Sequence, residues 1–277
     1  MKLESKGLTL DLAYPQVMGI LNVTPDSFSD GGKFRQIDNA LRHANNMIQA
    51  GATMIDIGGE STRPGADEVS LDEELERVIP VAEAIAKNFE VWVSIDTYKP
   101  EVMRESHLAG AHLINDIRAL QEPNALEAAI ETGMPVCLMH MQGMPRTMQE
   151  APQYKNVVAE VDTFLAEQIS RCVNAGMDKN KILLDPGFGF GKNLQHNYQL
   201  LAHLAEFHHF GLPLLVGMSR KSMVGQLLNV PPNQRMIGSV ACAIIAAMQG
   251  AQIIRVHDVK ETAEAMRIVE ATLSAKE

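Results

Sequence analysis

Eight positions along this chain set a polar side chain at the end of a short apolar run: Asn22, Asp56, Asp96, Asn115, His140, Asp185, Ser219 and His257. One such residue is ordinarily a helix cap or a turn former. Eight in succession suggest a shared polar surface built from strand ends. Asp96, Asn115 and Asp185 supply carboxylate and amide groups able to read the donor and acceptor edge of a flat heterocycle. A carboxylate facing two N–H donors of an amino-pyrimidinone edge makes a charge-assisted bidentate pair. Arg255, His257, Asn22 and Arg63 suit a different partner. They can gather around a polyanion, with a divalent ion on the Asn22 oxygen. Ser219 and Lys221 end the seventh run, beside Arg255 and His257 on the eighth.

Three connecting segments add chemistry. The first, spanning 22–34, is dense in turn residues and carries Phe28 in an otherwise polar stretch. It reads either as a surface loop or as a lid whose Phe28 covers a ligand and excludes water. The second, 59–68, offers glycines for close backbone approach, the hydroxyls of Ser61 and Thr62, and Arg63 held before Pro64. That guanidinium is a fork suited to carboxylate or phosphate. The third is Asp185-Pro186-Gly187-Phe188-Gly189-Phe190-Gly191-Lys192. A P-loop would need Gly at Pro186 and Ser or Thr at Asn193, and a dinucleotide fingerprint would need Gly at Lys192, so both are excluded. His203, His208 and His209 have no matching ligand motif and are expected to be surface or core residues. Met139 stands beside the mouth, where a flat ring could rest on it.

The elements that must hold these residues alternate. Apolar, β-rich runs fall at 16–22, 53–58, 91–96, 112–117, 135–140, 182–187, 213–219 and 252–257. Amphipathic stretches lie between or after them, at 36–50, 70–87, 99–109, 123–132, 155–175, 194–207, 238–250 and 259–273. Their three- and four-residue apolar spacing predicts helices packed on a sheet. Near-continuous apolar strands imply a parallel sheet buried on both faces. Eight strand and helix units favour a closed (β/α)8 TIM barrel over an open doubly wound sheet. The expectation is a single domain over 1–277, with residues 1–15 as a leader forming a hairpin across 3–14. In a barrel of this kind the polar strand ends define the active-site face.

At 277 residues, with 46% hydrophobic and 21% charged residues, the chain is expected to be globular. A formal net charge of −10 argues against a nucleic-acid surface but not against a local anion site. Cys137, Cys172 and Cys242 are isolated in apolar stretches and read as buried thiols, which points to the cytoplasm. There is no apolar signal segment at the start and no stretch long enough for a membrane span.

The chain closely resembles the dihydropteroate synthase family, along essentially its whole length. The resemblance is carried by MGILNVTPDSFSDGG at 18–32, DIGGESTRPGA at 56–66, SIDTYKP at 94–100, INDI at 114–117, LMHMQGMP at 138–145, LDPGFGFGK at 184–192, GMSRKS at 217–222 and RVHDV at 255–259. It implies a transferase of folate biosynthesis. Such an enzyme joins 6-hydroxymethyl-7,8-dihydropterin diphosphate to para-aminobenzoate, giving 7,8-dihydropteroate and diphosphate. It implies a pterin pocket of Asp96, Asn115, Met139, Asp185, Phe190, Gly217, Lys221 and Arg255, with Asp96, Asp185, Lys221 and Arg255 as catalytic groups. Asn22, Arg63, Arg255 and His257 would face the diphosphate, Asn22 through Mg2+. Phe28, Thr62, Arg63, Pro64, Ser219 and Lys221 would form the para-aminobenzoate subsite. A homodimer and sulfonamide binding are also implied. The competing readings are a barrel that moves a methyl group from a folate and a non-catalytic pterin-binding protein. Ser61-Thr62-Arg63-Pro64 and Ser219-Arg220-Lys221 disfavour the first; intact Asn22, Lys221 and Arg255 disfavour the second.

Overall fold

Side chains on successive strand residues point to opposite faces, and in a barrel every second one points inward. Strand β4 (Met54–Gly58) shows what this sequence does with that alternation. Ile55 and Ile57 join the layer between strands and helices, Met54 joins an inner apolar cluster, and Asp56 is buried two residues further on. The same step recurs around the ring. Trp92, Leu113, Leu183 and Ile253 lie in the inner apolar layer, and each is followed two positions later by Ser94, Asn115, Asp185 or Arg255. The barrel interior is therefore greasy at one end and polar at the other.

The structure is a computed structural model and describes residues 1–24, 33–60, 68–143, 147–149 and 151–275. A hairpin of antiparallel strands β1 (Lys2–Ser5) and β2 (Leu8–Asp11) comes first. The barrel strands follow: β3 (Gln16–Asn22), β4, β5 (Trp92–Asp96), β6 (Leu113–Asp116), β7 (Val136–Met139), β8 (Ile182–Asp185), β9 (Leu215–Val216) and β10 (Ile253–Val256). They pair in parallel in the order β8-β7-β6-β5-β4-β3-β10-β9. A single parallel bridge, Leu184 to Leu214, joins the two ends of that order and completes the ring. The expected eight-stranded barrel is thus present, with the hairpin across its apolar end. Leu3, Leu10 and Leu12 pack there on Met18, Met54 and Trp92.

Helices α1 (Lys33–Gln49), α2 (Leu71–Asn88), α3 (Pro100–Leu108), α4 (Ala125–Thr132), α5 (Val157–Asn174), α6 (Leu194–Ala202), α7 (Ser222–Leu228), α8 (Met236–Met248) and α9 (Val259–Ser274) surround the strands. Three local features depart from the sequence expectation. The run at 213–219 yields only a two-residue strand; Pro213 has no N–H to give a ladder, and the chain turns at Arg220, whose φ is +57°. The helix expected over 194–207 ends at Ala202, and a 3-10 helix, Leu204–Phe210, continues. Helix α7 is additional, inserted before α8. Among the described residues no helix is long and apolar enough to cross a membrane. The three cysteines are buried and unpaired.

Candidate active site

Asp56 organises the polar end of the barrel. Its carboxylate is fully buried and accepts from the Ser94 hydroxyl, from Asn115 Nδ2 at 3.1 Å and from Arg255 Nε at 2.6 Å. Because a carboxylate only accepts, Asp56 fixes which end of the Asn115 amide points away from it. Arg255 donates through Nη2 to Asp96 Oδ2 at 2.8 Å, so one guanidinium bridges two strand-end carboxylates. Burial pushes the Asp96 carboxyl up to about 7, even though Arg255 opposes the shift, because Asp56, Glu74 and Asp116 add negative charge. Gly58 borders this corner: a Cβ there would lie in ordinary contact, 3.7 Å from Asp96 Oδ2 and 3.8 Å from Asn22 Oδ1.

The opposite side of the mouth is built from the glycine-aromatic loop. Asp185 Oδ1 accepts from Gly187 N at 2.7 Å. Burial raises the Asp185 pKa, while Lys221, the Gly187 N–H, Lys192 and Arg255 pull it back. Lys221 Nζ donates to the Phe188 carbonyl and lies 4.6 Å from the centroid of the Phe190 ring. Burial lowers the Lys221 pKa to about 8, with Arg255 adding to the shift and Asp185 and Asp96 opposing it. Met139 and Phe190 pack with Ile117 and Met148 in a small apolar cluster that Tyr98 and Met141 flank. This gives an apolar shelf beside carboxylates and an amide, the combination a flat heterocycle needs.

The expected polyanion group assembles only in part. Ser219 Oγ lies 3.0 Å from His257 Nδ1 and accepts from His257 N at 3.1 Å, which joins β10 to the end of the seventh run. Gly217 lies against Arg255: a Cβ there would be 3.6 Å from Arg255 Cβ. Arg255 itself is directed at Asp56 and Asp96. Arg220, in the turn between Ser219 and Lys221, is clamped by both oxygens of Asp258. Phe28, Thr62, Arg63 and Pro64 lie outside the described residues.

Several contributing residues escaped the sequence reading. Ser94 sits two residues before Asp96, so strand alternation alone would have aimed it at Asp56. Ile117 follows β6 directly and was hidden by its apolar type. A third group has no local signal. Lys99 Nζ donates to Glu60 Oε2 at 2.7 Å, to Val69 O at 2.8 Å and to Glu74. That ammonium ties the chain on both sides of residues 61–67 to α2. Thr97 Oγ1 completes the cluster on Glu74 Oε1 at 2.6 Å.

Known proteins agree with this geometry. The profile of the family described as pterin binding enzyme matches residues 18–257. The dihydropteroate synthase of Escherichia coli is 73% identical over 277 residues, covering 100% of this chain and 98% of that relative. A crystal structure of the Yersinia pestis dihydropteroate synthase with a sulfonamide drug complex superposes with a TM-score of 0.95 at 72% identity, covering 99% of this chain and 100% of the other. The Xanthomonas albilineans dihydropteroate synthase with 4-aminobenzoic acid has a TM-score of 0.93 at 49% identity, with 98% of each chain covered. A parallel barrel whose polar mouth carries this arrangement is a pterin-binding enzyme. Within that class the chain belongs to the dihydropteroate synthase family.

Proposed function

We propose that this chain condenses 6-hydroxymethyl-7,8-dihydropterin diphosphate with para-aminobenzoate, releasing diphosphate and forming 7,8-dihydropteroate. The observation that carries the reading is the strand-end set in which Asp56 holds Asn115 and Arg255, while Asp96 and Asp185 stand ionisable on either side of an apolar shelf. Asp96, Asn115 and Asp185 bind the amino-pyrimidinone edge, with Met139, Phe190 and Gly217 around the ring and Lys221 above Phe190. Arg255, His257, Arg63 and Asn22 take the diphosphate. Phe28, Thr62, Arg63, Pro64, Ser219 and Lys221 take para-aminobenzoate.

Substitution follows from these placements. The bond between the exocyclic methylene and the diphosphate oxygen breaks with its electron pair going to diphosphate, whose charge Arg255 absorbs. The carboxylates of Asp96 and Asp185 compensate the positive charge left on the pterin. The arylamine nitrogen then bonds to the methylene and loses a proton. The amine is already neutral near pH 7, so no strong general base is demanded. Asn22 would hold Mg2+ through its side-chain oxygen, a ligand type suited to a hard cation. Among the described residues no group of three or more His, Cys, Asp or Glu could hold an ion by itself. When bound, Mg2+ would make diphosphate a better leaving group.

Exposed Leu227, Ile237 and Ile268, on α7, α8 and α9 in that order, support a homodimer through these helices. The unpaired thiols support a cytoplasmic location. A para-aminobenzoate subsite would also accept sulfonamides, as the Yersinia relative does. The test is to mix the purified protein with both substrates and Mg2+ and to follow diphosphate and the condensed product. Diphosphate should be released with both substrates present and not when either is omitted. Binding of the pterin without product would favour a non-catalytic protein and overturn the proposal.

A further inference from the structure

Lys192 is buried to 1% exposure, yet none of its hydrogen-bond partners among the described residues is a carboxylate. Its three N–H groups meet His140 Nδ1 at 2.9 Å, Gly187 O at 2.9 Å and Phe190 O at 3.0 Å. A buried cation with neutral partners is costly, and an apolar side chain of similar volume would fill the space without that cost. The reason for the ammonium lies in the turn it grips. Phe190 N donates to Gly187 O at 3.1 Å, so Gly187–Phe190 is a closed turn, and Lys192 binds the carbonyl at each end of it. The turn has little room to relax on its outer side. A Cβ on Gly187 would fall 1.8 Å from the His140 carbonyl oxygen, and one on Gly191 2.3 Å from that of Gln142.

The two ends of this turn are the two parts that reach the mouth. Gly187 supplies the N–H that orients Asp185 Oδ1, and Phe190 supplies the ring under Lys221. Lys221 itself grips the middle of the turn through Phe188 O. Asp185 is faced by Lys221 from the β9–α7 connection, by Arg255 from β10 and by Lys192 from its own loop, with the Cys137 thiol of β7 nearby. His140, packed edge-on against Phe164, is held neutral by burial and by Lys192, with its pKa pushed down to about 2. It therefore accepts the Lys192 proton rather than competing with its charge.

We infer that Lys192 is a positioning residue for the pterin pocket: it fixes Gly187 and Phe190 from behind and supplies a cation near Asp185. The inference rests on the reading that Asp185 and Phe190 hold the pterin. Burial lowers the Lys192 pKa to about 7, so the ammonium carries its charge below that pH.

The test compares wild type, Lys192→Met and Lys192→Gln, each checked for folding by thermal melting. The readouts are pterin diphosphate binding by calorimetry from about pH 5 to about pH 9 and KM for para-aminobenzoate. Lys192→Met should weaken pterin diphosphate by about tenfold or more and leave the para-aminobenzoate KM within about twofold. It should also move the acid limb of pterin binding, which Asp185 shares with Asp96, to higher pH, because losing a cation raises the Asp185 pKa. Lys192→Gln keeps N–H donors for the turn. It should recover much of the affinity near pH 8 while keeping the displaced acid limb. If Lys192→Met does not fold, the limb in Lys192→Gln decides. An unmoved limb in a folded variant, or an equal loss for both substrates, overturns the inference. A wild type that binds the pterin but forms no product overturns the proposed function instead.

Discussion

At the residue scale, Asp56 accepts from three side chains at once, and this leaves Asp96 with only a share of Arg255. The consequence is a carboxyl held near neutrality beside an ammonium that is also close to releasing its proton: Asp96 at about 7 and Lys221 at about 8. A folded-state value raised this way means that ionising Asp96 costs stability. Its contribution is complete below the unfolded carboxylate range and is lost as pH rises through about 7. A pterin that donates N–H groups offsets that cost by binding the ionised form. Pterin affinity should therefore fall as pH drops through about 7, and fall again as pH rises through about 8 when the Lys221 cation is lost. Calorimetric titration with pterin diphosphate checks this; an affinity flat across the range contradicts it. The polar identities behind the effect were legible in the sequence. Their sharing was not, because Asp56 and Arg255 are 199 positions apart and only the pairing of β3 with both β4 and β10 brings them together.

At the scale of elements, strand and helix periods located the barrel well, since apolar runs buried on both faces have few other uses. The failures have local causes. Pro213 shortens β9, and the seven-residue α7 is too brief to show a helical period. The outer faces of the last helices were legible only as apolar residues; their exposure needed the fold. Ile237 on α8 is 78% exposed and Ile268 on α9 70%. Replacing both with Asp should convert the proposed dimer into a monomer, as read by sedimentation velocity, with the barrel still folded. A wild type that sediments as a monomer at micromolar concentration contradicts the dimer.

At the scale of the whole molecule, the barrel separates two tasks by depth. The hairpin and the inner apolar layer close one end, while two residues further along β4, β5, β6, β8 and β10 the side chains turn polar. The motif resemblance supplied the ligand identity that pattern alone could not, because a polar mouth by itself names no substrate. Phe28, Thr62, Arg63 and Pro64 belong to that resemblance and lie outside the described residues. The proposed chemistry therefore rests most directly on the strand-end carboxylates. Its decisive measurement is product formation by wild type and Asp185→Asn, with both substrates and Mg2+. Wild type should give dihydropteroate and diphosphate in equal amounts, and the folded variant should be slower by about a hundredfold or more. A wild type without product, or a folded Asp185→Asn that turns over as fast as wild type, would contradict the account.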